Sequence, residues 1–264
     1  RCDGARESRR QAQRDTNDPL IDFRAVLRDA TETGTGTRMG AGLDFEKARF
    51  NMVEQQVRPW DVLDQTVLDL LFVVKREAFV PEPYRALAFT DMEIPLKIDG
   101  ADTGECMWSP KLEARIVQEL SIKPHDTVLE IGTGSGYLSA LLAHKAQHVL
   151  SIEIDPRLKA FAEANLARAG VHNVKVELGD GSRGWPGKAP YDVIVVTGSL
   201  PVMPESLRSQ LRIGGRLAAV VGEEPVMTAE LHTRAAETSY DVVRLFETSV
   251  KALRNAERPS SFRF

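Results

Sequence analysis

A short apolar run followed by glycines at alternate positions most constrains how this chain can fold. Residues 128–136 read Val-Leu-Glu-Ile-Gly-Thr-Gly-Ser-Gly, and a helix-forming stretch begins at Tyr137. This order predicts a buried strand, a tight turn and a helix start, the first unit of a nucleotide-type α/β fold. Glycines adopt φ values closed to other residues and let backbone approach a ligand closely. We therefore predict a cofactor-binding turn, with a purely structural strand–helix turn as the alternative.

Alternating strand and helix patterns follow this turn and predict a parallel sheet with right-handed crossovers. Strands are predicted over Val128–Ile131, Val149–Glu153, Val174–Leu178, Val193–Val196 and Arg216–Val221, and helices over Gly136–His144, Pro156–Ala169 and Glu205–Leu211. Gly214 and Gly215 are expected to close the last helix. Thr228–Thr233 and Tyr240–Val250 have no helix between them and predict an antiparallel hairpin at the sheet edge. The fold class is α/β: a Rossmann-like, mostly parallel sheet with an antiparallel C-terminal edge hairpin.

The chain upstream of this sheet divides into two parts. Residues 1–40 are rich in arginine and poor in apolar residues, which predicts a disordered tail or an extension ahead of Met39. Residues 41–122 are predicted to form a helical N-terminal extension, with an irregular stretch of short extended pieces over 85–110 that faces the substrate. Residues 123–264 are predicted to form the α/β domain itself.

Composition narrows the function classes. The net charge is −4, and no basic cluster stands apart from acids, so a nucleic-acid partner is not expected. Two cysteines and five scattered histidines predict no metal site. No apolar run is long enough to span a bilayer and no signal peptide is visible, so we expect no membrane association and a cytoplasmic location. Nothing in the sequence indicates an oligomeric state.

The spacing of the glycines points to one cofactor class. It differs from the dinucleotide form G-x-G-x-x-G and resembles the E-x-G-x-G-x-G form of S-adenosylmethionine-dependent methyltransferases. Gly132, Gly134 and Gly136 would let the backbone face the amino-acid end and ribose of S-adenosylmethionine. Glu130 just before the turn is expected to order it or to meet the ammonium of the cofactor.

Two further acids lie at predicted strand ends. Glu153 follows Gly132 by about twenty residues, a spacing at which an acid binds a ribose diol; a capping or surface acid is the alternative. Asp155 is expected to cap the helix at Pro156. Asp180, in Gly-Asp-Gly, is predicted to accept from the adenine amino group, or else to make a plain turn.

Residues near the next two strand ends complete the predicted pocket. Trp185 and Pro186 either wall the adenine or pack over the sheet edge. Thr197, Gly198 and Ser199 have short side chains, which leave room for a methyl acceptor.

The chemistry of such a donor favours a carboxylate acceptor. A sulfonium methyl is already activated and an ionised carboxylate is already a nucleophile, so the protein need only align the groups and exclude water. An alcohol or amine acceptor would need a general base. No histidine falls in a predicted site loop, which weakly favours the carboxylate.

Several segments resemble one family, the protein-L-isoaspartate O-methyltransferases. The matching stretches, roughly within residues 45–225, are Met52–Pro59, Ala78–Pro81, Val128–Tyr137, Gly179–Pro186, Ala189–Thr197 and Pro204–Gly222. The resemblance implies methylation of the free carboxylate of L-isoaspartyl residues in damaged proteins, whose ester collapses to a succinimide so that a normal link can be restored. It implies that the cofactor is held by Glu130, Gly132, Gly134, Gly136, Glu153 and Asp180. The further predicted cofactor contacts are Thr133, Ser135, Tyr137, Gly181 and Thr197.

One segment departs from that family. Where it carries Thr-Ile-Ser-x-Pro, this chain has Cys106-Met107-Trp108-Ser109-Pro110. The predicted substrate pocket comprises Cys106, Trp108, Ser109 and Pro110, with Ser109, shifted by one place, as the candidate catalytic residue. The Trp108 indole is expected to fill the space where an isoaspartate enters, and the acidic loop 99–105 to repel an anionic substrate.

Three functions are therefore weighed. The leading one is methyl transfer from S-adenosylmethionine to a carboxylate on a peptide or protein, with L-isoaspartyl residues as the expected acceptor. The second is a paralogue with the same cofactor site and another acceptor. The third is a non-catalytic S-adenosylmethionine-binding module whose acceptor pocket Trp108 closes.

Overall fold

A computed structural model describes residues 44–258 of the 264-residue chain. The predicted tail, residues 1–40, lies outside the described residues. The first described helix, α1 (Phe45–Met52), begins where the Asp44 side chain accepts from the amide of Lys47, and it runs on through a wider turn over Val53–Val57. Helix α2 (Gln65–Val73) begins after Asp64, whose side chain accepts from the amide of Thr66. Both starts are ordinary N-caps that satisfy free helix amides.

The stretch predicted to be irregular, 85–110, contains a β-hairpin. Strand β1 (Ile94–Ile98) pairs antiparallel with β2 (Ala101–Met107). The turn between them is Asp99-Gly100, and both residues have positive φ. Asp-Gly is the dipeptide that two-residue hairpin turns favour, so this hairpin had a readable local signal. Helix α3 (Pro110–Leu120) follows.

A seven-stranded sheet forms the centre of the fold. Its strands are β3 (Thr127–Ile131), β4 (His148–Glu153), β5 (Val174–Leu178), β6 (Tyr191–Leu200), β7 (Leu211–Glu223), β8 (Val226–Ala236) and β9 (Ser239–Glu247). The crossover helices are α4 (Tyr137–Lys145), α5 (Pro156–Arg168) and α6 (Glu205–Arg208). The strand order is β5-β4-β3-β6-β7-β8-β9. Neighbouring strands are parallel from β5 to β7, and β8 is antiparallel to both β7 and β9. This confirms the predicted Rossmann-like sheet and its antiparallel edge.

The sheet order places a crevice beside β3. The chain runs from β3 outward to β5 on one side, then returns to β6 and runs outward on the other. Parallel sheets of this kind bind ligands outside the carboxyl ends of the strands where the order reverses. The glycine turn leaves β3 at this point.

One predicted element was wrong at its end. The helix expected over Glu205–Leu211 stops at Arg208, and β7 begins at Leu211. Leu211 is fully buried, and core packing outweighs its helix propensity. Gly215 lies inside β7, where a Cβ would sit 2.8 Å from the Arg212 carbonyl oxygen. The two glycines therefore mark an irregularity in the strand, not the end of a helix.

Two kinds of feature are absent from residues 44–258. No helix there is long and apolar enough to cross a membrane. Over the same range, no cluster of three or more histidine, cysteine or acidic side chains could hold a metal ion.

Candidate functional site

One pocket opens at the carboxyl ends of the central strands. It is lined by residues 131–135, 152–154, 179–182, 197–198, 105–108 and 251–254, together with Glu113, Leu138 and Leu158. Ten predicted site residues lie in this wall: Gly132, Thr133, Gly134, Ser135, Glu153, Asp180, Gly181, Thr197, Cys106 and Trp108. The other five, Glu130, Gly136, Tyr137, Ser109 and Pro110, do not line it.

The glycine turn presents bare backbone because no side chain fits there. Gly132 has φ +95°, and a Cβ on it would lie 2.1 Å from the Thr197 hydroxyl oxygen. That hydroxyl donates to the carbonyls of Ile131 at 2.9 Å and Gly132 at 2.7 Å. Thr197 therefore ties the end of β6 to the turn and occupies the space beside it.

Glu153 holds the turn against β4. Its carboxylate is nearly buried and accepts from the amides of Gly134 and Asp155, each at 2.9 Å. Burial raises the pKa of Glu153, and the backbone hydrogen bonds oppose that rise. Each carboxylate oxygen can accept more than one hydrogen bond, so the acid keeps acceptor capacity toward the pocket.

Asp155 has the capping role predicted for it. Its carboxylate accepts from the Arg157 amide at 2.9 Å at the start of α5. The hydrogen-bonded Arg157 side chain lowers the pKa of Asp155 to about 2. Asp155 is therefore a structural acid at the edge of the pocket.

Asp180 makes contacts on both carboxylate oxygens. One accepts from the Ser182 amide at 2.9 Å, which makes the turn, and the other from the Asn255 side-chain amide at 2.9 Å. Burial acts to raise the pKa of Asp180, but these hydrogen bonds outweigh it and lower the pKa. The carboxylate therefore stays an ionised acceptor for an N–H donor.

Glu130 lies behind the turn. It is fully buried and accepts from the hydroxyls of Ser139 and Ser151, the latter at 2.6 Å. Ser151 also lies 2.6 Å from the Thr133 hydroxyl, which extends the network into the turn. Burial raises the pKa of Glu130 to about 8, although the serine hydrogen bonds oppose the rise. Of the two roles expected for Glu130, this geometry favours ordering the turn.

Gly136 and Tyr137 also support the turn from outside the pocket. A Cβ on Gly136 would lie 3.3 Å from Ala162, so α5 packs directly on this glycine. The Tyr137 ring is buried edge-on to Phe79 at 5.5 Å and lies 5.0 Å from the Arg76 guanidinium. These contacts give the Tyr137 side chain a core position.

Trp185 likewise packs over the sheet edge. Its ring would lie 2.6 Å from a Cβ on Gly179, just beyond β5, and it is absent from the pocket wall. Of the two alternatives for Trp185, the geometry favours packing.

The opposite wall carries the departing segment. Trp108 lines the pocket, its side chain is buried, and its carbonyl accepts from the Arg76 guanidinium. Cys106 donates to Glu93 at 3.2 Å, and burial, reinforced by Glu93, raises the pKa of its thiol to about 12. Ser109 precedes α3 without making a capping hydrogen bond. The structure therefore brings Cys106 and Trp108 to the pocket, but not Ser109 or Pro110.

Glu113 is a pocket residue that the sequence did not single out. It is buried on α3 and forms an ion pair with the buried Arg76. Burial raises the pKa of Glu113 to about 7, and Arg76 opposes the rise. The two side chains meet across 37 positions of sequence, which no local pattern predicts.

The segment after β9 crosses the pocket. Its Lys251 carbonyl accepts from the Ser199 amide, and its Leu253 amide donates to the Ser199 carbonyl, both at 2.9 Å. A Cβ on Gly198 would lie 2.8 Å from the Leu253 backbone, so this close approach requires glycine. The segment brings Lys251 and Arg254 into the pocket wall, and neither was predicted.

The fold and the pocket together define a class. A central strand ending in a bare glycine turn, with acids at the next two strand ends, is the arrangement of S-adenosylmethionine-dependent methyltransferases. The family model for protein-L-isoaspartate(D-aspartate) O-methyltransferase matches residues 48–250. The chain belongs to this family, which confirms the resemblance seen in the sequence, the methyltransferase class and the S-adenosylmethionine cofactor.

Individual proteins agree with the family match. The chain is 43% identical over 200 residues to protein-L-isoaspartate O-methyltransferase 1 of Rhodopseudomonas palustris, covering 76% of this chain and 79% of that protein. A solved protein-L-isoaspartate O-methyltransferase has a TM-score of 0.65 and 26% identity over 78% of this chain; the match spans just under two thirds, 65%, of that chain. A beta-aspartate methyltransferase from Plasmodium falciparum, solved with S-adenosyl-L-homocysteine, shares the fold at 20% identity and a TM-score of 0.65, covering 80% and 98% of the two chains.

Proposed function

We propose that this protein transfers a methyl group from S-adenosylmethionine to the free carboxylate of L-isoaspartyl residues in peptides and proteins. The observation that carries the proposal is the composition of one pocket. The bare glycine turn, Glu153 and Asp180 form one wall, which we call the donor wall. Residues 105–108 with Lys251 and Arg254 form the other, which we call the acceptor wall. Donor and acceptor groups can thus meet in a single crevice, in a chain whose family match covers the first wall and residues 105–108 of the second.

The donor wall suits the groups of S-adenosylmethionine. We assign the backbone of Gly132, Gly134 and Gly181 to close approach, Glu153 to the ribose diol, and Asp180 to the adenine amino group. Thr133, Ser135 and Thr197 line the same wall and complete the contacts. Glu130, Gly136 and Tyr137 act by shaping the turn. At Asp180, the adenine amino group would take the place of the Asn255 amide.

The reaction requires the acceptor wall only to orient the acceptor oxygen and to exclude water. The bound donor supplies a methyl carbon on a sulfonium, and an acceptor oxygen forms its bond to that carbon as the carbon–sulfur bond breaks and leaves its electron pair on sulfur. An ionised carboxylate needs no general base for this. The Cys106 thiol, with its raised pKa, stays protonated and does not compete as a nucleophile. Trp108 and the segment 251–254 restrict the entry of water into the pocket.

We further propose a division of labour along the chain. Residues 41–122 would form the N-terminal extension, whose β2 strand supplies Glu105 and Cys106 to the acceptor wall. Residues 123–264 would form the methyltransferase domain, with the donor wall. Residues 1–40, proposed as a tail or upstream extension, lie outside the described residues.

A second candidate is favoured by Trp108. Its side chain is buried in the acceptor wall and leaves less room there than the serine of the family pattern would. The same donor site could then serve a smaller carboxylate acceptor than an isoaspartyl peptide.

One assay tests the proposal. Radiolabelled methyl groups are followed from S-adenosylmethionine to an L-isoaspartyl peptide and to its aspartyl twin, while donor binding is measured by calorimetry with S-adenosylhomocysteine. We expect label in the isoaspartyl peptide alone. Donor binding without transfer to this peptide would reject the proposed acceptor and favour the second candidate, and absence of donor binding would reject both.

A further inference from the structure

A carboxylate of the protein itself is bound by two cations inside the acceptor wall. Glu105 Oε1 lies 2.9 Å from Lys251 Nζ and 2.7 Å from Arg254 Nε. Lys251 also donates to the Gly104 carbonyl, and Arg254 Nη2 donates to the Thr103 carbonyl at 3.0 Å. The two cations come from the segment after β9 and the acid from β2.

The geometry of this contact matches what a carboxylate acceptor needs. Both cations converge on one oxygen of Glu105, and the other oxygen takes part in neither ion pair. An acceptor held in this way would have one oxygen fixed and the second available to the methyl group. Fixing one oxygen supplies orientation, which is the main contribution an enzyme can make to this reaction.

We propose that Lys251 and Arg254 are specificity-determining residues that bind the free carboxylate of the acceptor, and that Glu105 occupies their site when no acceptor is bound. The inference rests on the proposed function and names the groups that recognise its substrate. The Lys251, Arg254 and Glu105 side chains are 48%, 40% and 23% exposed, so the pairs are partly hydrated. Such ion pairs contribute little to stability, and an external carboxylate can therefore displace Glu105 at small cost.

Glu105 belongs to the acidic loop 99–105, whose charge is expected to repel an anionic substrate. The charge of Glu105 is compensated by two cations, so Glu105 does not present an unpaired charge to an anionic substrate. A methyl ester product would be uncharged and would lose the ion pairs, which lets Glu105 return. The same exchange would therefore favour binding of the acid and release of the ester.

The first test asks whether Glu105 competes with the acceptor carboxylate for the two cations or only holds the segment 251–254 to the β1–β2 hairpin. Glu105→Gln keeps an oxygen that can accept from both cations but removes the charge. We expect the KM for an isoaspartyl peptide to fall about threefold, because a weaker internal ligand competes less. If Glu105 only fastens the segment to the hairpin, the same change leaves the peptide KM unchanged or raises it, and the inference is overturned.

The second test removes the cations. Lys251→Met and Arg254→Gln should each raise the peptide KM about tenfold, since each removes a charge-assisted hydrogen bond to the acceptor. Affinity for S-adenosylhomocysteine should stay within about twofold, which also reports that the pocket is folded. The matched control is Arg244→Gln, an arginine on β9 whose side chain is 80% exposed. An unchanged peptide KM in both cation variants would reject the assignment.

A binding measurement keeps this inference distinct from the proposed function. The isoaspartyl peptide and the same peptide with that carboxylate converted to an amide are titrated by calorimetry in the presence of S-adenosylhomocysteine. Wild-type protein should prefer the acid about tenfold or more, and Lys251→Met with Arg254→Gln should lose the preference. Absence of methyl transfer with this preference intact would reject the proposed function but not the carboxylate site. Equal binding of acid and amide by the wild type would reject the site.

Discussion

The donor wall and the acceptor wall of the pocket are built in different ways. The donor wall uses backbone groups and contacts between the ends of sheet strands, as in the bond from the Gly134 amide to Glu153. The acceptor wall uses side-chain charges from distant parts of the chain, as in the contact of Glu105 with Lys251 across 146 positions. The first wall is held by the sheet, whereas the second depends on a segment that the sheet does not include.

This difference bears on how each wall can change. A bare glycine turn tolerates almost no substitution, because any Cβ meets a neighbouring atom or an unfavourable φ. Exposed ion pairs exchange partners at little cost. We therefore expect substitutions in the donor wall to weaken binding of the donor and substitutions in the acceptor wall to alter substrate preference.

The largest effect on donor binding is expected from Gly132→Ala. The new Cβ would lie 2.1 Å from the Thr197 hydroxyl in a backbone with φ +95°, so Thr197 must rotate and the turn must shift. Affinity for S-adenosylhomocysteine should fall about a hundredfold, on the order of 3 kcal/mol, by calorimetry. Gly187→Ala is the control, because nothing lies within 4 Å of its Cβ position. Equal donor affinity of the Gly132 variant and wild type would show that the donor wall adapts as easily as the acceptor wall.

A pH-dependent effect on stability is expected from Glu130→Gln. The pKa of Glu130 is raised from 4.5 to about 8 in the folded protein. Below about pH 4.5 the group is protonated in both states; between the two values only the unfolded state releases the proton, so the free energy of unfolding falls as pH rises. The neutral variant lacks this loss, and at pH 8.5 it should gain on the order of 5 kcal/mol over wild type relative to pH 4.

Urea unfolding of both proteins across this pH range gives the comparison. Parallel curves for the two proteins would show that Glu130 is ionised behind the turn at neutral pH. The donor wall would then rest on a buried charge and not on a neutral hydrogen-bonding group.

A moderate effect is expected from Asp180→Ala. Loss of the acceptor proposed for the adenine should weaken S-adenosylhomocysteine binding about tenfold, with the peptide KM unchanged. Asn255→Ala is the matched variant: it removes the side chain that now bonds to Asp180 and should leave donor affinity equal or higher. Unchanged donor binding in Asp180→Ala would remove Asp180 from the adenine role.

The smallest effect on turnover is expected from Trp108→Ser. Removal of the buried indole should cost about 3 kcal/mol of stability and raise kcat/KM for an isoaspartyl peptide several-fold by widening the acceptor wall. Trp185→Ser removes an equal ring that packs outside the pocket, so it should lower stability without raising turnover. If thermal melting shows that Trp108→Ser is folded but its kcat/KM for the peptide is unchanged or lower, the indole does not obstruct entry of the acceptor.

Sequence patterns located most of the donor wall because its residues follow visible strands, although Glu130, Gly136 and Tyr137 do not line the pocket. The glycine turn, Glu153 and Asp180 each follow a strand whose apolar run is visible, and parallel strands bring their ends together. Strand alternation puts Glu130 and Ile131 on opposite faces of β3, but only the structure shows that Ile131 is the one that lines the pocket. The Asp99-Gly100 turn gave a similar local signal for the hairpin that was expected to be irregular.

The acceptor wall could not be derived in this way. Glu113 and Arg76, or Glu105 and Arg254, meet only because the tertiary fold brings separate elements together. A local sequence match also failed for Ser109. The resemblance to the family pattern predicted it in the pocket, but at the start of α3 it lies outside the pocket lining. The end of α6 was missed because burial of Leu211 in β7 outweighed its helix propensity.

Because residues 251–254 cross the pocket, the two walls are synthesised at different times. A ribosome makes the chain from its N-terminus, so the glycine turn leaves the exit tunnel more than a hundred positions before Arg254 does. A nascent or proteolytically shortened chain that stops before residue 251 would have the turn that faces the donor but not the cations that receive the acceptor. Competence to modify a substrate thus requires that synthesis has passed Arg254.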